Sequence, residues 1–471
     1  MLFCVLKQCV YQIKCGNFMG FVKIETLFCE KSGRTIENLR QVYSNKVLLK
    51  EKIRKIGKGF LDNDSMIRNK RILLKPNWVL HNRKEDDEMC LRTNDSFVLA
   101  ALEVILEQQP ARIVIGDAPI QGCNWNKMLS KEFYSAVDEL SIRNAIPIEV
   151  KDFRRVTFNP RQNNPITERN PLSNYIIFDL GKDSYLESIS STKNIFRVTD
   201  YNPDRLAESH TIGMHKYCIT KELFEADLVI SMPKIKTHQK AGITGALKNI
   251  VGLNGDKDYL PHHRIGGLGF GGDCYPGKNY LRLWAEYALD KANRNQGNFY
   301  YRLWYYTAAI LWKLTLPKKV HDMTAAWYGN DTVWRMVMDL NKIAIFGKKD
   351  GTLSKNPQRV LYSLCDGIVG GQGAGPLNPE PLPLGVICFT NNSSMNDICM
   401  ATMMGFDIQK ISLLRTAYQN VQQQHIDLTL NGVKINLPDL SSLSIQTLPP
   451  PGWVDYLKKH ENSNTPHTRQ L

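Results

Sequence analysis

No C-x-x-C pair occurs among the 11 cysteines of this chain. Its absence excludes the four-cysteine run of a ferredoxin-type cluster and the paired spacing of a zinc ribbon. The phosphate-binding pattern G-x-x-x-x-G-K-[ST] is missing. So are an internal repeat, a recognised nucleic-acid motif and a long basic tail. The longest apolar stretch outside the candidate strands and helices, LWYYTAAILW at 303–312, is too short to span a bilayer. The opening MLFCVLKQCVYQIK is interrupted by Lys7 and Lys14 and has no small-residue cleavage site, so it does not read as an export signal, and Met19 is an alternative start. Unpaired cysteines without an export signal point to a reducing cytoplasm. Cys4, Cys9, Cys15 and Cys29 crowd this end, where they offer ligands to a metal if the start is genuine.

What the chain does have is length and positive charge. Its 471 residues can bury a sizeable core, and the formal charge of +14 favours anionic partners: phosphates, carboxylates, nucleic acid or an acidic membrane surface. A basic surface that only aids solubility is the plainer alternative. Residues 1–60 read as an N-terminal extension. Residues 61–415 read as an α/β domain with a mainly parallel sheet, flanking helices, two lobes around a cleft, and an aromatic-rich helical insertion at 280–330. Residues 416–471 read as a hairpin followed by a disordered tail.

The α/β expectation comes from the order of patterns. RILLKPNWV (71–79) is a buried strand ended by Pro76, SFVLAALEVILEQ (96–108) a helix capped by Asp95 or Ser96, and ARIVIGDAP (111–119) a second buried strand. Strand, helix, strand at this spacing predicts a βαβ unit. ADLVISMPKIK (226–236), KIAIFG (342–347), RVLYSLCDG (359–367) and LGVICFTNN (384–392) are further candidate strands. NDICMATMMGFD (396–407) predicts a helix ending near Gly405, and DLTLNGVKINLP (427–438) a hairpin turning at Asn431-Gly432.

The chemistry concentrates in SMPKIKTHQKAGITGALKNIVG, residues 231–252. In open α/β sheets, ligands bind at the carboxyl ends of strands. Lys234, Lys236 and His238 are expected in a loop there, with Gly242 and Gly245 letting backbone N–H groups approach a ligand. TGALKNIVG reads as a short helix opened by Thr244, whose N-terminus with nearby lysines is an anion site. Downstream, His262 and His263 lie beside six glycines, suiting metal ligation or proton movement, with Asp273 as an acceptor for one imidazole. CDGIVGGQGAGP (365–376) reads as a second glycine loop carrying Asp366, Gly371 and Gly373. KPNW and GDAP bring Lys75, Asn77 and Asp117 to the same edge of the sheet. The bland readings are solvated lysines on a tight turn, and turn glycines with incidental histidines.

LLKPNW, GDAP, DLVISMPKIKTHQKAGITGALKNIVGL, HHR and CDGIVGGQGAGP together resemble the DUF362 family, a domain of unknown function, over about residues 70–280 and 330–412. Some members of that family carry ferredoxin-type cysteines; this chain has none, so no iron-sulfur cluster is expected. A weaker resemblance is to the nickel-pincer lactate racemase family, in which a histidine is followed ten residues later by a lysine, as His238 is by Lys248. It implies a cofactor tethered at the lysine, proton shuttling by His238, and nickel ligation by a later histidine, near which stand His262 and His263. The racemase's earlier histidine-aspartate motif is not found, and His210 and His215 are its only nearby stand-ins.

Three function classes follow. The first is a cytoplasmic enzyme that binds an anionic substrate or cofactor at the Lys/His/Gly segment for proton or hydride transfer. His238, Lys248 and His263 are its catalytic candidates, and a pincer-dependent isomerase is a variant of it. The second is a nucleic-acid-binding protein, which the scattered charge disfavours. The third is peripheral membrane contact through residues 302–319, to be recognised by an exposed aromatic face; a buried core helix is the alternative.

Overall fold

A computed structural model of the chain describes residues 20–28, 33–159, 164–315 and 324–457. The crowded cysteines, Met19 and the polar tail after 457 lie outside these residues.

The first strand, β1 (Gly20–Thr26), is followed by helices α1 (Ile36–Ser44) and α2 (Lys46–Ile56). The predicted βαβ unit follows: β2 (Arg71–Pro76), α3 (Asp95–Leu106), β3 (Arg112–Asp117), α4 (Lys131–Asn144) and β4 (Ile148–Asp152). β2 pairs parallel with β3, and β3 with β4. The cap of α3 is Asn94, one residue before the two candidates: its extended backbone lets the side chain accept from the Ser96 amide.

The chain returns to the sheet with β5 (Leu228–Met232), β6 (Lys234–His238) and β7 (Gly242–Thr244), then the short helix α5 (Ala246–Asn249). β5 lies parallel to β2. A helical hairpin of α6 (Tyr280–Arg294) and α7 (Phe299–Leu314) fills the expected insertion and precedes α8 (Val333–Phe346). The rest of the sheet comes from β8 (Leu361–Ala374), β9 (Asn378–Leu382) and β10 (Val386–Thr390), then, after α9 (Ser393–Met403) and α10 (Ser412–Val421), from the hairpin β11 (Ile426–Leu430) and β12 (Val433–Lys434).

These twelve strands form one mixed sheet in the order β12-β11-β1-β10-β8-β5-β2-β3-β4, with β6 and β9 branching from β8 and β7 pairing β6. The run β8-β5-β2-β3-β4 is parallel throughout. Alternate strand residues feed two cores, as the two-residue period requires. Ile72, Leu74, Ile113, Ile115 and Ile230 pack with α1 to α4 on one face. Leu73, Val114, Val229 and Val386 pack with α8, α9 and α10 on the other. Helices on both faces explain why these strands are apolar without alternation. The fold is α/β, as expected.

Four local expectations give way to the structure. Residues 342–347 are the last turn of α8, not a strand; a short apolar run buried on several sides has no period to distinguish the two. Residues 20–60, expected within an extension, instead place β1 inside the sheet, antiparallel to β10 and parallel to β11. Lys234, Lys236 and His238 are on a strand, β6, rather than in a loop: Pro233 breaks the run but does not end the sheet. CDGIVGGQGAGP is also mostly strand, with Gly367, Gly370, Gly371 and Gly375 close against neighbouring chain. At Gly371 a Cβ would lie 2.7 Å from Cβ of Lys236 and 2.9 Å from the Cys90 carbonyl oxygen.

The α6–α7 hairpin is only partly buried. Ala285, Ala288 and Ala308 form its seam, while Phe299 is 80% exposed, Leu314 70% and Trp284 66%. Among the described residues, no helix is long and apolar enough to cross a membrane.

Gly371→Ala is expected to cost about 1–3 kcal/mol by overpacking against β6. A urea unfolding midpoint unchanged from wild type would show that β6 and β8 have room to separate.

Candidate functional site

The carboxyl ends of β2, β3 and β5 meet β6 and α5, and there the chain buries lysines. Two have carboxylate partners. Lys75, at the end of β2, places Nζ 2.8 Å from Oδ1 of Asp117 at the end of β3. Asn249 of α5 ties this pair to its surroundings. Its Oδ1 accepts from Nζ of Lys75 at 3.0 Å and from Nδ2 of Asn77 at 3.1 Å, and its own Nδ2 donates to the Lys75 carbonyl and to Oγ of Ser231. The Trp78 and Ala118 amides also donate to Asp117. Gly252 makes this closeness possible, because a Cβ there would stand 1.8 Å from Oδ1 of Asp117.

The second pair joins Lys234 of β6 to Asp366 of β8 at 2.8 Å, with both side chains fully buried. Tyr43 of α1 completes it: its hydroxyl donates to Oδ1 of Asp366 at 2.6 Å and accepts from Nζ of Lys234 at 3.0 Å. Burial lowers the ammonium pKa of both Lys75 and Lys234, and the facing aspartates oppose that shift.

Three further lysines have no carboxylate partner. Lys236, in register with Gly371 on one side and Thr244 on the other, donates from Nζ to the Leu91 carbonyl. Burial and the charges of Lys234 and Lys248 push its pKa down to about 7, although Cys90 opposes them. Lys257 donates to the Ala118 carbonyl at 2.9 Å, and burial brings it to about 8. Lys248, half-buried on α5, has neither an ion pair nor a hydrogen bond among the described residues. Burial, with the charges of Lys257, Lys240 and Lys75, lowers it to about 7.

His238 ends β6. Its Nδ1 accepts from the Lys240 and Ala241 amides at 3.1 and 3.2 Å, so the ring proton sits on Nε2 when the imidazole is neutral. Burial, then Lys248, His262, Lys240 and Lys236, hold its pKa well below the ordinary value. The oxygen atoms Oδ1 of Asn77 and Oγ1 of Thr244 are buried without a partner.

The structure therefore brings together Lys75, Asn77, Asp117, Lys236, His238, Thr244 and Lys248, and adds Lys257 and Asn249. It sets Lys234 and Asp366 in a closed pair with Tyr43. The predicted anion site at the N-terminus of α5 is filled by the chain itself: Asp397 of α9 accepts from the Ala246 and Leu247 amides at 2.6 and 3.0 Å. The cap residue is Gly245, with Thr244 left in β7. Gly242 takes a positive φ at the turn from β6 to β7, and Gly373 takes one near the end of β8.

The two adjacent histidines separate. His262 donates from Nδ1 to the Leu260 carbonyl and feels Lys240, Lys248 and Lys257, so it belongs with the lysines. His263 is buried with Cys274 and Glu286. Asp273 bonds neither imidazole; it accepts from the Arg264 and Asp331 amides and from Oγ1 of Thr332. His210 and His215 contact each other at 3.3 Å and bond the Tyr259 carbonyl and Glu187 respectively.

Lys257 and Tyr43 carried no local signal. Lys257 is not singled out beside the histidines that follow it, and Tyr43 lies in the supposed extension.

The two kinds of lysine are expected to respond oppositely to substitution. Asp366→Asn strands the Lys234 charge and is expected to cost about 3–5 kcal/mol in denaturant unfolding. Lys248→Met removes an unpaired, poorly solvated ammonium and is expected to raise stability by about 1–2 kcal/mol. A destabilised Lys248→Met would show that this lysine supports the fold.

Comparison with known proteins places these features. No curated protein matches the chain. One similar solved structure is a crystal structure of a protein from Thermotoga maritima, at 9% identity and a TM-score of 0.31, covering 80% of this chain and 59% of that one. The chain thus spans less than two thirds of that protein, and so slight a likeness carries no argument. The family model described as "Domain of unknown function (DUF362)" matches residues 179–402. Residues 70–178, where the resemblance was also read, lie outside the matched range. The stretch from β5 to β10, with its buried lysines, histidines and glycine-rich strand, lies within the part of the chain that is similar to the DUF362 family.

Proposed function

We propose that this protein is an enzyme acting on a small anionic molecule, a phosphate or carboxylate, held by Lys236, Lys248 and Lys257. The observation that carries this reading is the burial of the Lys236 and Lys257 side chains with no carboxylate in ion-pair contact, beside the half-buried and unpaired Lys248. An uncompensated buried charge is costly, and chains retain one chiefly where a ligand supplies the counter-charge. Asn77 and Thr244 add unused polar atoms.

In this reading His238 binds the anion as a hydrogen-bond donor: two backbone amides occupy Nδ1, so the neutral ring offers Nε2–H. Burial, with the surrounding cations, keeps the ring neutral in the free protein. Of the donor set the racemase resemblance requires, His238 and Lys248 are at hand, and the unpaired amine of Lys248 suits covalent attachment of a carbonyl group. His263 stands instead beside Cys274 and Glu286, and no step is routed through a tethered cofactor.

The sign of the pH dependence follows from the lysines. Above about 7, Lys236 and Lys248 are neutral in the free protein and must gain protons to bind an anion. Affinity for inorganic phosphate or a small carboxylate is therefore expected to fall by up to about tenfold per pH unit for each lysine as pH rises past 7, with proton uptake on binding. Calorimetric titration in two buffers of different ionisation enthalpy measures that uptake. Binding that is independent of pH from 6 to 9, or unchanged in Lys248→Met, contradicts the assignment.

The hairpin supports a second, compatible reading: peripheral contact with an anionic membrane. Phe299, Leu303, Tyr306, Ile310 and Leu314 recur at helical spacing along α7, and all are exposed, as is Trp284 of α6. The acidic residues of α6, Glu286 and Asp290, are buried, α7 has none, and Arg302 and Lys313 are exposed. An apolar, aromatic, cationic face suits an interfacial position. Flotation with vesicles containing phosphatidylserine is expected to recover the wild type, and to lose most of it in Trp284→Ser/Leu303→Ser and in high salt. Equal recovery of that double variant removes the reading.

A further inference from the structure

Apart from the lysines, the described residues contain one cluster with the chemistry of a metal centre. An imidazole nitrogen of His263, Sγ of Cys274 and a carboxylate oxygen of Glu286 lie within 4.8 Å of one another. All three residues are buried, at 4%, 2% and 4% exposure. They come from three separate segments: the short strand His263–Arg264 paired with Phe196–Arg197, the glycine-rich loop, and the inner face of α6. The glycine-rich loop folds back on itself, with the Cys274 amide donating to the Gly266 carbonyl at 3.0 Å. The Gly266 amide in turn donates to Oε2 of Glu286 at 2.9 Å.

The hydrogen bonds of this cluster do not close. Nδ1 of His263 and Oε1 of Glu286 are both buried without a partner. A purely structural network would satisfy such atoms, since each orphan costs about 1–3 kcal/mol. A cation among the three residues would engage the lone pairs the protein leaves open.

We propose that His263, Cys274 and Glu286 bind a zinc ion. One nitrogen, one sulfur and one oxygen donor suit zinc, which takes such sets in tetrahedral geometry. A thiolate and a carboxylate bring two negative charges to balance the dication, so the loaded site is neutral in the interior. The ion is held by the Cys274 thiolate and the Glu286 carboxylate, so its binding releases protons. Three protein ligands leave a fourth position for water. The neighbouring His262 lies outside this group of ligand atoms. The ion joins the glycine loop to the base of the helical hairpin.

The test uses full-length protein purified without chelators or a histidine tag. Elemental analysis is expected to give one zinc per chain, and replacement by Co²⁺ is expected to produce a thiolate-to-cobalt charge-transfer band. Cys274→Ser is expected to lose that band, and Glu286→Gln to lose most of its zinc on dialysis, while circular dichroism reports the fold. Folded wild-type protein that holds no zinc and takes up no Co²⁺ overturns the proposal. So does cobalt bound without a thiolate band, a reading that needs no variant, and so does full zinc retention in both variants.

Discussion

An ammonium group buried without a negative partner is among the least favourable arrangements a protein can hold, and this fold holds several side by side at the ends of its parallel strands. Lys75 and Lys234 are offset by Asp117 and Asp366. Lys236, Lys248 and the buried Lys257 have no such partner; burial lowers all three, Lys248 further lowers Lys236, Lys257 further lowers Lys248, and Lys248 and Lys236 add to the burial that depresses His238. The neighbouring structure serves this arrangement. Asn249 bridges Lys75 and Asn77, Gly252 leaves room for Asp117, and Tyr43 closes the Lys234–Asp366 pair.

The paired and unpaired lysines divide the labour. A closed ion pair between β6 and β8 fixes the position of β6, which carries Lys236 and His238 one and two pleats further on. The Lys75–Asp117 pair likewise fixes the ends of β2 and β3. Asp397 plays a third part, occupying the N-terminus of α5 and so holding the helix that presents Lys248. The elements that carry the unpaired lysines are thus held in place by aspartates paired elsewhere on them or beside them.

Much of the fold was legible because its signals are local. RILLKP and RIVIGD could only be buried strands, and Asn431-Gly432 turns the hairpin as its backbone preferences demand, with both residues at positive φ. What failed were features decided at a distance. KIAIFG is helical because α8 is surrounded, which six residues cannot reveal. The glycines of β8 looked like a loop, yet they are small because β6 presses against them. The site shows the same division. Lysines beside strand ends were visible in the sequence. Which of them had a counter-ion was not, because Asp366 and Asp397 reach them or their helix from far along the chain. Cys274 and Glu286 were invisible as partners of His263, being brought to it only by the loop and the hairpin.

The placement of β1 also governs when the protein can form. Its two neighbours in the sheet are residues 386–390 and 426–430, so the first strand described waits for nearly the last. Until they are synthesised, Val22 and Ile24 have no sheet to enter. Closing so large a loop is slow, and an unpaired apolar strand is prone to non-native pairing meanwhile. Assembly of this sheet is therefore completed only after translation has passed residue 430.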